Sequence, residues 1–211
     1  EIGRFEEKYG LDVVMRADQI RAAARSYAGD DVAAPGASPL WADLSGLPST
    51  LVQVIDTSNA AWSPSAPDPA GADYWPLTGR LLVGDSEVDE MPNYFTGANV
   101  FSATLSGALV STCSTTNLSR TGFSNEPTGL AVDPIHNRIY YSDDDSNKIF
   151  EIRLGPDNTF CTSDDILTTV NVGSVYNIQD AEDIAYGNNT LFVAGGSDGE
   201  VYIIPLGGNG V

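Results

Sequence analysis

The chain has 211 residues, 42 % of them apolar, with 10 Lys+Arg against 29 Asp+Glu and a formal charge of −19. That apolar content sustains a folded core and excludes a disordered chain. The acidity excludes nucleic-acid backbones and anionic membrane surfaces as partners. Two Cys and one His exclude a Cys/His zinc site made within one chain, and no apolar run approaches the roughly 20 residues of a membrane span.

The charge is unevenly spread. Residues 1–55 hold 5 basic and 8 acidic residues, and residues 56–211 hold 5 and 21. The composition changes near Ile55, which predicts an α/β leader over 1–55 and a β domain over 56–211. In the leader, Arg16–Ala28 is rich in helix formers, with Ile20, Ala23, Ala24 and Tyr27 on one face, Asp18 placed to cap it and Gly29 to end it. A Pro/Gly-rich loop over Ala33–Pro39 precedes a strand over Thr50–Ile55, whose apolar, β-branched run could serve as an outer strand for an open edge.

Ser38-Pro-Leu-Trp-Ala-Asp-Leu-Ser-Gly-Leu-Pro48 and Leu51–Val54 resemble the hormone-sensitive-lipase-like esterases of the α/β-hydrolase class. In that family the segment leads into the strand that delivers the catalytic acid. Here the chain continues Ile55-Asp-Thr-Ser-Asn59, with Ser58 near the acid position. The G-x-S-x-G nucleophile elbow is absent, and Gly84-Asp-Ser86 is followed by Glu87-Val88 rather than by small residues. The single His, His136, sits in an Asp-Pro-Ile-His-Asn turn. A Ser-His-Asp mechanism is therefore not expected.

The β domain carries a repeat. Asp68-Pro-Ala-Gly-Ala-Asp-Tyr74, Glu126-Pro-Thr-Gly-Leu-Ala-Val132 and Glu182-Asp-Ile-Ala-Tyr186 open its three copies, at spacings of 58 and 56 residues. Second strands are expected at Arg80–Asp85, Arg138–Asp143 and Thr190–Gly195, and third strands at Asn99–Thr104, Lys148–Arg153 and Glu200–Ile204. Fourth strands are expected at Ala108–Thr112 and Ile166–Val172 only. This order predicts a mainly β fold, a partial β-propeller of about three four-stranded antiparallel blades. A sandwich remains open as the alternative. Since rings hold about four to eight blades, such a chain closes only by association of copies through its open blade edges, or as part of something longer.

Asp85-Ser-Glu-Val-Asp-Glu-Met-Pro92, Ser124-Asn-Glu-Pro-Thr-Gly129 and Gly155-Pro-Asp-Asn-Thr-Phe-Cys-Thr-Ser-Asp-Asp165 resemble the blades of bacterial secreted calcium-binding propellers, of lactonase- and phytase-like form. The last is similar to exported G-x-D-G-x-x-G-T-x-D-D calcium loops, with Asn158 and Cys161 in place of two Gly. Calcium is the cofactor this implies. The candidate ligands are Asp157, Asn158, Asp164 and Asp165, then Asp143, Asp144 and Asp145, then Asp85, Glu87 and Asp89 with Glu90. Asp180, Glu182 and Asp183 form a fourth acidic cluster. The same residues also suit plain solvated turns. By resemblance to the lactonase-type relatives, Asn125, Glu126 and Glu182 are the candidates for a catalytic ion at the inner mouth, with Asp68 in the matching position.

Cys113 and Cys161 either pair across adjacent blades, as in an exported protein, or are two small buried thiols. Trp41, Trp62 and Trp75 with Tyr74 are either core residues or a surface for sugars or partners. The expected function is an extracellular or periplasmic calcium-binding module without a triad, any export signal lying outside this sequence. The alternative is a calcium-dependent hydrolase of esterase, lactonase or phosphatase type assembled by association of chains. An accidental joining of the two parts near Ile55 is a third possibility.

Overall fold

A computed structural model describes residues 53–116, 122–197 and 199–207. The expected helix Arg16–Ala28, the esterase-like words and Trp41 lie outside the described residues. Of the expected strand Thr50–Ile55, residues 53–55 are described and belong to no strand. Ile55 instead packs its side chain against a small apolar cluster around Trp62 and Phe101.

The described chain is almost entirely β. Strands β1 (Pro69–Trp75), β2 (Arg80–Asp85), β3 (Val100–Thr104) and β4 (Leu109–Cys113) form one antiparallel meander. β5 (Leu130–Asp133), β6 (Arg138–Asp143), β7 (Lys148–Arg153) and β8 (Ile166–Asn171) form a second. β9 (Ala181–Gly187), β10 (Thr190–Gly195) and β11 (Glu200–Pro205) form a third, of three strands. Tight reversals join the strands because Asn accepts the left-handed conformation they need. Asn137 sits at φ 53°, Asn147 at 50°, and Asn188 and Asn189 at 50° and 56°. One short helix, α1 (Val172–Tyr176), is started by the Asn171 side chain, which accepts the Ser174 N–H, and stopped by Asn177 at φ 60°.

The first strands of the three sheets lie side by side, β5 between β1 and β9, and the series does not close into a ring. Their approach is backbone to backbone. A Cβ on Gly129 would lie 2.6 Å from the Ile184 nitrogen and 2.7 Å from the Asp183 Cα, and one on Gly71 would lie 2.6 Å from the Thr128 oxygen. In the middle sheet every residue of β5 and β6 is thereby buried, while the outermost strand β8 is largely exposed. Tyr141, Ile139 and Phe150 pack with Trp75, Leu82 and Val100 on one side. Tyr140 and Ile149 pack with Ile184, Leu191 and Val193 on the other. Trp62 covers the far face of the first sheet, its indole N–H donating to the Gly107 oxygen at 3.0 Å. Trp62 and Trp75 are thus core residues, while Tyr74 is exposed.

The buried glutamate of the middle sheet has cationic partners, as burial of a charge demands. Glu151 is fully buried and accepts from the Arg153 guanidinium, with the Arg138 Nε 3.6 Å from the same oxygen. Burial pushes the Tyr140 hydroxyl up to about 12. Cys113 at the end of β4 bonds to Cys161 in the β7–β8 loop, across a Cα–Cα distance of 6.0 Å.

Gly129→Ala is expected to destabilise the fold by about 1–3 kcal/mol, because the added methyl meets backbone that cannot yield. Gly187→Ala, whose Cβ would find only a Phe192 ring carbon at 3.8 Å, should stay within roughly ±0.5 kcal/mol. Urea denaturation of the two variants checks the contrast.

Candidate metal centre

The close approach of β1, β5 and β9 gathers the chain segments that precede them at one end of the sheets. The hairpin pairings fix which residues correspond. Ala72 faces Val83, Leu130 faces Tyr141 and Ile184 faces Val193. Counting back four residues from each places Asp68, Glu126 and Asp180 in equivalent positions. The third start is therefore Asp180 rather than Glu182, which corresponds instead to Thr128. The β-bulge between Ala194 and Gly195 lets both acids of this third start reach the same place.

Asp144, Asp180 and Glu182 each bring a carboxylate oxygen within 4.8 Å of the others. They are the one such three-acid group among the described residues. Asp144 comes from the turn after β6, where its Oδ1 accepts the Thr128 hydroxyl at 2.8 Å. Asp180 stands at φ 60°, and its N–H donates to Asn147 Oδ1 at 2.5 Å. Gly196 leaves these two carboxylates their room, since a Cβ there would lie 2.6 Å from Asp180 Oδ2 and 2.7 Å from Glu182 Oε1 and displace them.

The electrostatics are those of like charges in a confined space. Partial burial, the Asp144 carboxylate and then Asp145, followed by Glu87, push Glu126 up to about 8. Glu182 is raised by burial and by Asp180, Asp144 and Asp183. Glu87 is raised by burial and by Glu90, Asp68, Asp144 and Asp89. The mutual repulsion joins acids that follow β2, precede β5, follow β6 and precede β9.

The remaining sequence candidates lie elsewhere or serve other ends. Asp143 is buried and accepts the Ser124 hydroxyl and the Ser146 N–H, each at 2.7 Å. Asp85, its counterpart, is buried and accepts the Asp68 N–H at 2.9 Å; burial raises its pKa. Asp89 and Glu90 lie in a 3-10 turn over Val88–Glu90, and burial raises Asp89. Asn125 is exposed beside Glu126.

The 155–165 loop is tied by its own hydrogen bonds. Asp157 accepts the Thr159 N–H at 2.8 Å, and Asp165 accepts those of Gly155 at 3.2 Å and Thr162 at 3.0 Å. The Thr162 hydroxyl holds Asp164 below the ordinary carboxylate range. Asn158 at φ 53° and Cys161 at φ 72° adopt left-handed backbone at the two positions where the calcium loops it resembles carry Gly. His136 caps its own turn, with Nδ1 2.6 Å from the buried Asp133 carboxylate.

Sequence comparison with protein-family models finds no match. Nor does comparison with curated proteins.

A carboxyl that holds its proton longer folded than unfolded makes stability fall as pH rises between the two pKa values. For Glu126 that window runs from its ordinary 4.5 to about 8, and the raised Glu87, Glu182, Asp85 and Asp89 act in the same direction. Without added cations, the melting temperature is expected to fall from pH 5 to pH 8. The fall should be shallower in Glu126→Gln, which should also be the more stable protein at pH 8. Thermal melts across that range check the sign.

Proposed function

We propose that the three sheets are successive blades of an open β-propeller that binds calcium at the mouth where the first strands begin, and that the chain serves as an extracellular or periplasmic binding and structural module. The observation that carries this reading is the meeting of Asp144, Asp180 and Glu182 within 4.8 Å. Carboxylates alone, without imidazole or thiolate, suit a hard cation that takes about six to eight oxygens at flexible geometry. Glu126, Asp145 and backbone carbonyls are at hand to complete such a shell. The Cys113–Cys161 bond is compatible with an oxidising compartment.

A second reading has one observation in its favour. A carboxyl raised to about 8 at a mouth lined with acids is suited to hold and deliver a proton near neutral pH. The calcium-dependent hydrolase would use Glu126 in that way, with Glu182 on the ion and Asn125 beside it. Loss of chelator-sensitive aryl-ester, lactone or phosphate-ester turnover in Glu126→Gln would favour it over a purely structural module.

Both readings need more blades than three to make a ring. The far face of the third sheet exposes Phe192, Val201 and Ile203, at 38 %, 67 % and 65 % of their area. This open edge is where a second copy would join.

Calcium titrated into the full chain at pH 7 should bind with release of about one proton, because the ion displaces the proton that Glu126 retains. Asp144→Asn and Asp180→Asn should each weaken binding by at least about tenfold, a charge-assisted ligand being worth roughly 1.5–3 kcal/mol. Gly196→Ala, which removes no ligand, should weaken it too. Calorimetry in two buffers of different ionisation enthalpy reads both affinity and proton count. No heat, and no rise in melting temperature with calcium, would defeat the proposal.

A further inference from the structure

A groove of about 630 Å³ runs between the first sheet and the loop that joins β7 to β8, a size typical of sites that enclose a small organic molecule, roughly 300–1,000 Å³. Strand alternation builds one wall. Trp75 faces Arg80, Leu82 faces Ser102, and Ser102 faces Ser111 across the sheet, so these side chains share one face and all line the groove. The loop supplies the other wall, with Thr159, Phe160 and Thr162. The Cys113–Cys161 bond, itself part of the lining, fastens that loop to β4.

Three features set this concavity apart from the rest of a chain of charge −19. Among the described residues no Asp or Glu lines it. Arg80 does, and it makes no ion pair among the described residues, whereas Arg138 and Arg153 both turn to Glu151. Trp75 is buried, and its indole N–H has no acceptor among the described residues. A guanidinium in a partly desolvated cleft attracts an anion strongly and matches a carboxylate with two parallel N–H donors. An unsatisfied buried donor gains from any acceptor a ligand, or a water it traps, can offer. Leu82 and Phe160 leave room for an apolar body.

We propose that this groove binds a small organic carboxylate with an apolar body, its carboxylate on Arg80. The site is separate from the acidic mouth and does not depend on a cation there. The disulfide acts as a positioning device, holding the Thr159–Thr162 wall against the sheet.

The test titrates 4-phenylbutyrate into the full chain, with the neutral 4-phenylbutyramide and the hydroxyl-rich glucuronate alongside. The readout is the tryptophan indole N–H signals in 1H–15N spectra, with Trp75→Phe to assign the resonance. The carboxylate should shift the Trp75 signal and bind at least about tenfold more tightly than the amide, and Arg80→Gln should lose that margin, since a charge-assisted bond is worth about 10- to 100-fold. Arg80→Gln must melt with the parent protein for the loss to count, and Arg80→Lys should recover part of it. Cys113→Ser/Cys161→Ser should weaken binding. Neither a chelator nor Asp144→Asn should change it, which separates this site from the metal centre. Equal affinity for acid and amide, full binding by Arg80→Gln, or no binding at all would overturn the proposal. Preference for glucuronate over phenylbutyrate would overturn the apolar part of the assigned ligand class.

Discussion

The structure depends on how closely the first strands of the three sheets approach. Gly71 and Gly129 let the chain at the starts of β1, β5 and β9 approach backbone to backbone, and farther along the Asp73 carboxylate bridges β1 to β5 by accepting the Val132 N–H. Large side chains fill the spaces between neighbouring sheets. Trp75, Tyr141 and Phe150 fill one and Tyr140 and Leu191 the other. The same approach brings the segments that enter β5 and β9, and the turn that leaves β6, into a single place. Whatever those segments carry is concentrated there, and they carry carboxylates. The packing that makes the core and the geometry that makes the acidic mouth are one arrangement.

The two ends of the sheet series are unlike. At the first sheet, the chain before β1 folds back so that Trp62 is buried against Val83 and Phe101. At the third sheet, one face packs inward through Ile184, Leu191 and Val193, while the other leaves Phe192, Val201 and Ile203 in solvent. Stacked β units need a polar or covered outer face at each terminus, and only one terminus has a cover among the described residues. The middle sheet lies between the other two, which is why it can hold Glu151 and Arg138 shielded from water, while Arg153 reaches Glu151 from the partly exposed end of β7.

Much of this was legible in the sequence, for reasons that can be located. The second strands Arg80–Asp85, Arg138–Asp143 and Thr190–Gly195 have the expected bounds to the residue. Each is an apolar run bounded by turn residues, and those are the signals that short strands leave. The start of β5 was harder. The copy opening at Glu126 enters its strand only at Leu130; Pro127 has no N–H to donate, and Thr128 and Gly129 both bond to Ser142, the Thr128 N–H donating to the Ser142 oxygen and the Ser142 N–H to the Gly129 oxygen. The third start was misplaced by two residues because Glu182 matches Glu126 in type, whereas the equivalent residue by pairing is Asp180. A count back from the apolar residue facing the second strand would have found it. The meeting of Asp144 with Asp180 and Glu182, 36 and 38 positions later in the chain, could not be read at all. It follows from inter-sheet distance, which residue type and spacing do not encode. The Cys113–Cys161 bond was open for the same reason, until the Cα separation of 6.0 Å decided it.

The acidic mouth has an energetic consequence for the fold. Carboxylates crowded at a partly buried place weaken the structure that crowds them, as the raised Glu126, Glu87 and Glu182 register. Asp143 shows how the same residue type is used when stability is the end, since its two oxygens take the Ser124 hydroxyl and the Ser146 N–H. Asp144 Oδ1 accepts the Thr128 hydroxyl and the Asp145 N–H, and a carboxylate oxygen of the same residue still lies within 4.8 Å of those of Asp180 and Glu182. A fold that needed only turns could have used Asn at these positions, which turns accept as readily and which repel nothing. The acids are better matched to a cation that turns their repulsion into coordination. In the proposed reading, a bound cation would tie the turn after β6 to the start of β9, the two segments that supply Asp144, Asp180 and Glu182.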